Sequence, residues 1–250
     1  MRYFLELSYL GTAYHGWQRQ QNAFTVQQAL EEALATLLRH PAAVTGAGRT
    51  DTGVHAAYYV AHFDTEIPLG ERFCYHLNAL LPADIAARRV AEVPEGAHAR
   101  FDAVEREYTY RILRDKDPFR RETSWQYHAD LDPVRMNEAA VMLSQYSDFT
   151  TFSKLHSNNK TCICRVFRAL WREESPGEFL FVIRADRFLR NMVRSLVGTL
   201  VDVGRGRLTV ETFREIVESC DRSLASASAP APGLFLTDVR YPESIFVREK

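Results

Sequence analysis

Residues 46–56 read Gly46-Ala47-Gly48-Arg49-Thr50-Asp51-Thr52-Gly53-Val54-His55-Ala56, and the fold turns on what this stretch is for. A phosphate-cradling loop would place it in a doubly wound parallel sheet, whereas a shaped turn would place it between two strands of an α+β protein. The phosphate reading fails on spacing. Gly46-x-Gly48 runs into Arg49-Thr50-Asp51, with no third glycine at the dinucleotide-binding distance and no Gly-Lys-Ser/Thr ending. Asp51 would also repel a pyrophosphate. A bare turn explains the glycines, because Gly46, Gly48 and Gly53 suit positive φ or close backbone approach. It does not explain Arg49, Asp51 and His55 standing so close together. A Gly-flanked Asp in a loop between strands presents a carboxylate to a cleft, so the pattern favours a catalytic loop over the turn.

The flanking sequence supplies strands on both sides. Tyr3, Leu5, Leu7 and Tyr9 alternate with Phe4, Glu6 and Ser8 as a first strand. Thr25-Val26-Gln27-Gln28 reads as a capping box, and Val26, Leu30, Leu34, Leu37 and Leu38 keep helical spacing to about His40. Residues 42–45 read as a short strand, 58–63 as a strand, 71–81 as a helix and 85–93 as a strand. The pattern restarts with a strand around Tyr108, Tyr110 and Ile112. Asp132-Pro133 opens a helix with Pro at its first position. Strands at about 163–172 and 178–185 precede an apolar helix from about Phe188 to Val203. A helix over 209–220 and a strand over 234–241 follow. Between them the Ala/Ser/Pro-rich residues 223–232 read as an ordered crossing loop. The order predicts two α+β units, residues 1–104 and 105–250, rather than one parallel sheet, and no internal sequence repeat is visible.

The chain has 250 residues, a net charge of −1 and 46% hydrophobic residues, ordinary values for a water-soluble globular protein. No run approaches the ~18 apolar residues of a membrane span, and MRYFLELSYL lacks a signal peptide's apolar segment, so a cytoplasmic, non-membrane location is expected. Cys74, Cys162, Cys164 and Cys220 have no disulfide or zinc spacing, and no structural metal is expected. The cations comprise 27 Arg and 4 Lys, and Arg suits bidentate phosphate contact. Residues 150–172 carry Lys154, Lys160, Arg165, Arg168 and Arg172 with no carboxylate. Such a stretch is either solvated surface or a basic face hidden by an acidic remainder.

Several segments, in order along the chain, resemble the TruA family of tRNA pseudouridine synthases. They are YLGTAYHGWQRQ (9–20), GRTDTGVHA (48–56), NALLPADI (78–85), HARF (98–101) with REYTY (106–110), FLRNMVRSLVGTL (188–200) and GLFL (233–236). Two places depart from the family pattern: Leu10 stands where the family has Asp, and Tyr58-Tyr59 where Gly-Gln is common. The resemblance implies two RRM-like, ferredoxin-like halves whose antiparallel sheets meet across a central basic cleft. It implies a homodimer that isomerises uridine to pseudouridine at positions 38, 39 and 40 of the tRNA anticodon stem-loop. No redox step or group donor is involved, so no cofactor is implied.

By the same resemblance Asp51 is the catalytic anion, whether it adds to C1′ or C6 or acts through a glycal. Arg194 is its ionic partner and Tyr108 stacks on the target uracil. An Asp–Arg contact at ~4 Å is worth on the order of 4 kcal/mol at an effective dielectric of ~20, much of it consumed by desolvation. Arg49 would occupy the space of the flipped base. His55 would shape the loop or touch substrate, and Trp17, Gln18, Arg19, Lys154, Arg165 and Arg168 are further RNA-contact candidates. Two rival readings exist. A non-catalytic tRNA-binding protein on the same scaffold would have no use for Asp51, because a carboxylate repels phosphate. A metal-dependent phosphoesterase using Asp51 and His55 lacks further carboxylate ligands.

Overall fold

The alternation at the N-terminus becomes β1 (Arg2–Tyr9), and a helix and further strands build on it in the computed structural model, which describes residues 1–154 and 161–246. Along the chain follow α1 (Val26–Leu38), β2 (Thr45–Gly46), β3 (His55–Asp64), α2 (Phe73–Asn78) and β4 (Ile85–Val93). Then come β5 (Glu105–Leu113), β6 (Trp125–Gln126), α3 (Pro133–Val141), β7 (Val166–Ser175) and β8 (Glu178–Ala185). The last elements are α4 (Met192–Gly204), α5 (Val210–Glu218) and β9 (Leu234–Arg240). The described chain is thus α+β with mostly antiparallel pairing, as expected.

Two units separate by their internal contacts: Met1–Glu105 with Leu236–Lys250, and Arg106–Phe235. In the first, β1 pairs antiparallel with both β3 and β4, and β2 pairs with β3. The sheet order β4-β1-β3-β2 with helices after β1 and β3 is the β-α-β-β-α-β arrangement of ferredoxin-like folds. In the second unit β5, α3, β7, β8 and α4 repeat that chain order, with β8 between β5 and β7. β6 joins β5 in parallel for two residues, Ile112 with Trp125 and Leu113 with Gln126.

Caps and breaks explain the helix limits. Thr25 accepts a hydrogen bond from Gln28 N at 3.3 Å, but the Gln28 amide turns away to Glu32 at 2.9 Å, so only half of the expected capping box forms. Asp132 caps α3 ahead of Pro133 by accepting from Val134 N and Arg135 N, as the sequence predicts. α4 begins at Met192 rather than Phe188, because Asn191 sits in the left-handed region at φ 65° and breaks the helix there. The expected strand at 42–45 shrinks to Thr45–Gly46, and the helix at 71–81 to Phe73–Asn78.

The sequence division put residues 236–250 in the second half, whereas the internal contacts group the described ones, 236–246, with the first. The reason is local bonding: Val104 N donates to Arg240 O at 2.9 Å, the Tyr241 hydroxyl donates to Ala99 O at 2.5 Å, and the Tyr241 ring lies edge-on to Phe4. Residues 223–232 are ordered, as expected, with two short turns of 3-10 helix at their ends, Arg222–Leu224 and Ala231–Gly233. Lys160, part of the expected basic run, lies outside the described residues.

Candidate active site

In the first unit Asp51 stands half-buried at the start of a tight turn, in which Val54 N donates to Asp51 O at 3.1 Å and Gly53 takes φ 76°. β3 starts at His55, three residues earlier than the alternation suggested, so the turn is anchored directly in the sheet. On its other side Ala47 N donates to Val60 O at 2.8 Å, and the Tyr59 hydroxyl donates to Gly48 O at 2.5 Å. Gly46 is needed for close approach, since a Cβ would run into the Tyr59 hydroxyl and the Trp17 ring; Gly48 faces open space.

A layer of aromatic rings lies beneath this loop. Trp17 stacks on Tyr59 with ring centroids 4.1 Å apart, and Tyr9 packs beside both. The Tyr9 and Thr50 hydroxyls are hydrogen-bonded at 2.9 Å, and Trp17 N donates to Thr50 O at 3.3 Å. The segment before α1 is itself fastened. Gln27 Oε1 accepts from Gln18 Nε2 at 2.8 Å and Arg19 N at 2.9 Å, while its amide donates to Val44 O at 3.0 Å. Gln27, Tyr9, Thr50 and Tyr59 are the loop's supports that sequence reasoning missed, because they act through contacts spanning 8 to 50 positions.

Two of the candidates are buried among these contacts. Trp17 is 1% exposed with its ring stacked on Tyr59, so it supports the loop and has no surface for a base. His55 is 0% exposed and its Nδ1 accepts the Gly11 N–H at 2.9 Å, so it braces the start of β3 against the segment after β1. Arg49 and Gln18 are exposed, and Arg19 is exposed but bridged to Glu31 at 2.7 Å. Leu10 is exposed, and Tyr58 is half-buried with its hydroxyl pushed up to about 12 by burial and the neighbouring Glu6.

The second unit holds the other candidates. Tyr108, on β5, is half-buried, pairs in register with Ile183 and meets Phe188 edge-on with centroids 5.0 Å apart. Tyr110, on the same face, is fully buried and donates to Pro230 O at 2.7 Å. Burial pushes its hydroxyl far above the usual range, with the charge of Arg194 opposing. Arg194 lies in the first turn of α4, half-buried, with Nε donating to Ala229 O at 2.7 Å.

Lys154, Arg165 and Arg168 are all exposed. Asp186 Oδ1 accepts from Arg165 N at 2.8 Å and Arg187 N at 2.7 Å, and the Arg165 guanidinium lies 5.3 Å from the Phe167 ring. A bulge between Val166 and Arg168 puts Arg168 opposite Arg184, which Glu107 neutralises through bonds of 2.6 and 3.1 Å. Among the described residues no group of three His, Cys, Asp or Glu could hold a metal, and no helix is long and apolar enough to cross a membrane.

A half-buried carboxylate on a pinned loop, an arginine fixed through its Nε and a half-buried aromatic on a strand are parts suited to ionic and nucleophilic chemistry on a planar ring. Comparison with known proteins points the same way. A family model described as tRNA pseudouridine synthase matches residues 7–102 and 139–242. Asp51 and Arg194 fall inside these segments and Tyr108 between them. Proteins named tRNA pseudouridine synthase A are similar over almost their whole length. That of Bacteroides fragilis is 53% identical over 98% of this chain and 98% of its own. That of Porphyromonas gingivalis is 50% identical over 98% of this chain and 99% of its own, and that of a Geobacter species 42% identical over 96% and 98%.

Proposed function

This chain belongs to the tRNA pseudouridine synthase family, and we propose that it isomerises uridine to pseudouridine at positions 38, 39 and 40 of the tRNA anticodon stem-loop. The N1–C1′ bond breaks, the uracil turns, C5 bonds to C1′, and the proton leaving C5 is balanced by one gained at N1. Asp51 is the single carboxylate that attacks the nucleotide. Arg194 is its ionic partner, Tyr108 stacks on the uracil, and Arg49 fills the space left by the flipped base. Flipping costs a few kcal/mol, so a residue that holds the base out is a thermodynamic requirement. The reaction needs no cofactor, because nothing is oxidised and no group is donated. The enzyme works in the cytoplasm as a homodimer, with Gln18, Arg19, Lys154, Arg165 and Arg168 as RNA contacts.

The observation that carries this reading is the pinning of the Asp51 loop inside a full-length family match. Backbone bonds, the Tyr59 hydroxyl and a layer of aromatic rings hold one short acidic side chain in place. A purely RNA-binding protein gains nothing from a rigidly presented carboxylate.

The test is incubation with unmodified anticodon stem-loop RNA, without metal or cofactor, followed by carbodiimide-blocked primer extension. Pseudouridine is expected at positions 38–40; absence of product at every uridine on the 3′ side of the stem sinks the assignment. Asp51→Asn is expected to keep tRNA affinity while turnover falls by at least ~10³-fold, as loss of a reacting group does elsewhere.

A further inference from the structure

The Ala/Ser/Pro-rich crossing segment is fastened to α4 at more points than a connection needs. Ala229 forms a two-way bridge with Arg194: Arg194 Nε donates to Ala229 O at 2.7 Å, and Ala229 N donates to Arg194 O at 2.9 Å. One turn further along the helix Ser226 N donates to the Thr199 hydroxyl at 3.2 Å. Gly198 lets the strap lie flat, because a Cβ there would collide with the Ala227 carbonyl. Tyr110 holds the far end of the segment through Pro230 O.

Ser228 is the hub. Its hydroxyl accepts from Asn191 Nδ2 at 2.7 Å and from Arg222 Nη2 at 3.3 Å, while Arg222 Nη1 donates to Ala225 O at 3.1 Å. Asn191 is also the residue whose left-handed backbone starts α4, three positions before Arg194. The same residue therefore sets where the helix begins, through its backbone, and where the strap lies, through its side chain.

From this geometry we infer that Asn191, Ser228 and Arg222 are positioning residues for Arg194. They lock residues 225–230 so that the Ala229 carbonyl fixes the guanidinium plane, and with it the direction of the two terminal amines. A guanidinium is a planar fork, so a hydrogen bond to Nε removes its rotation and aims the remaining donors. The inference rests on the proposed use of Arg194 in the reaction, and Asn191, Ser228 and Arg222 act through it without touching the nucleotide.

The experiment is a double-mutant cycle on the full chain, with single-turnover rates and tRNA affinity measured for each protein. Ser228→Ala and Asn191→Gly, the latter keeping the left-handed backbone, are each expected to slow the chemical step ~10-fold, with tRNA affinity within about twofold. Ser228→Thr, which keeps the hydroxyl, should recover most of the rate. In an Arg194→Ala background Ser228→Ala should cost nothing further, since the side chain it aims is gone. Wild-type rates for both single variants overturn the inference, as does a full ~10-fold cost of Ser228→Ala when Arg194 is absent. Arg194→Ala turning over like wild type overturns the underlying role of Arg194 instead, and the two failures are told apart by that one protein.

Discussion

The two units share a chain order of strands and helices yet hold the side chains proposed to act, Asp51 and Arg194, by opposite means. In the first, Asp51 rides on a loop, and the support comes from below, through Trp17, Tyr59 and the Tyr9–Thr50 bond. In the second, Arg194 rides on a helix, and the support comes from a second segment strapped along it. The difference follows from side-chain length. A carboxylate one bond from Cβ inherits its position from the backbone, so the backbone must be fixed. An arginine on a helix has a fixed backbone but ~2 kcal/mol of rotamer freedom, so the side chain itself must be caught.

Removing the support from the first unit should have the largest effect. Trp17→Ala leaves a large cavity beneath the loop and is expected to cost about 3–5 kcal/mol in urea unfolding, with loss of activity. A cost under about 1 kcal/mol would mean that the layer of rings does not carry the loop. Next comes a matched pair of glycines, each meeting a carbonyl of the segment it supports. Gly16→Ala strains a φ of 85° and drives Cβ into Thr50 O; about 3 kcal/mol is expected. Gly198→Ala meets Ala227 O but gains ~1 kcal/mol of helix propensity, so a smaller net cost of about 2 kcal/mol is expected. A Gly198→Ala protein as stable as wild type would show that the strap is loose, and the symmetry between the units would fail.

Legibility in the sequence followed the range of the interaction. Strands and helices appeared wherever period and caps are local, as in β1 or at Asp132-Pro133. No local signal carried the shared order of the two units, which only the family resemblance implied, because β2 is two residues long and strand order is set by long-range pairing. The same holds for the return of the chain from Leu236 to the first unit. Within the candidate site the Asp51 loop drew notice because glycines and a charge in a short loop need a reason. Trp17 is buried although its neighbours Gln18, Arg19 and Gln20 are exposed, and no local pattern in the sequence separates it from them. Ser228 and Asn191 gave no signal at all. A hydroxyl and an amide 37 positions apart mean nothing until the fold brings them together.

The smallest expected effect concerns pH, and it sharpens the comparison. Each unit pins a loop with a polar side chain from a central strand: His62 Nδ1 accepts Ala99 N–H at 3.1 Å, and Tyr110 donates to Pro230 O. Burial lowers His62 to about 4, helped by the Arg2 and His98 charges and opposed by Asp64 and Asp102. The folded value lies below the ordinary 6.5, so the unfolded chain takes up the proton first. The stability that neutral His62 contributes is complete above pH ~6.5 and is lost as pH falls toward 4. A protonated Nδ1 also cannot accept the Ala99 N–H. The Tyr110 link has no titration in this window, because burial moves its hydroxyl the other way. Melting temperature measured in steps from pH 7.5 to 4 should therefore fall less steeply in His62→Asn, whose amide oxygen can accept the same bond without titrating. Equal slopes for variant and wild type would remove His62 as a source of acid sensitivity, and the link it makes in the first unit would then be as indifferent to pH as the tyrosine in the second.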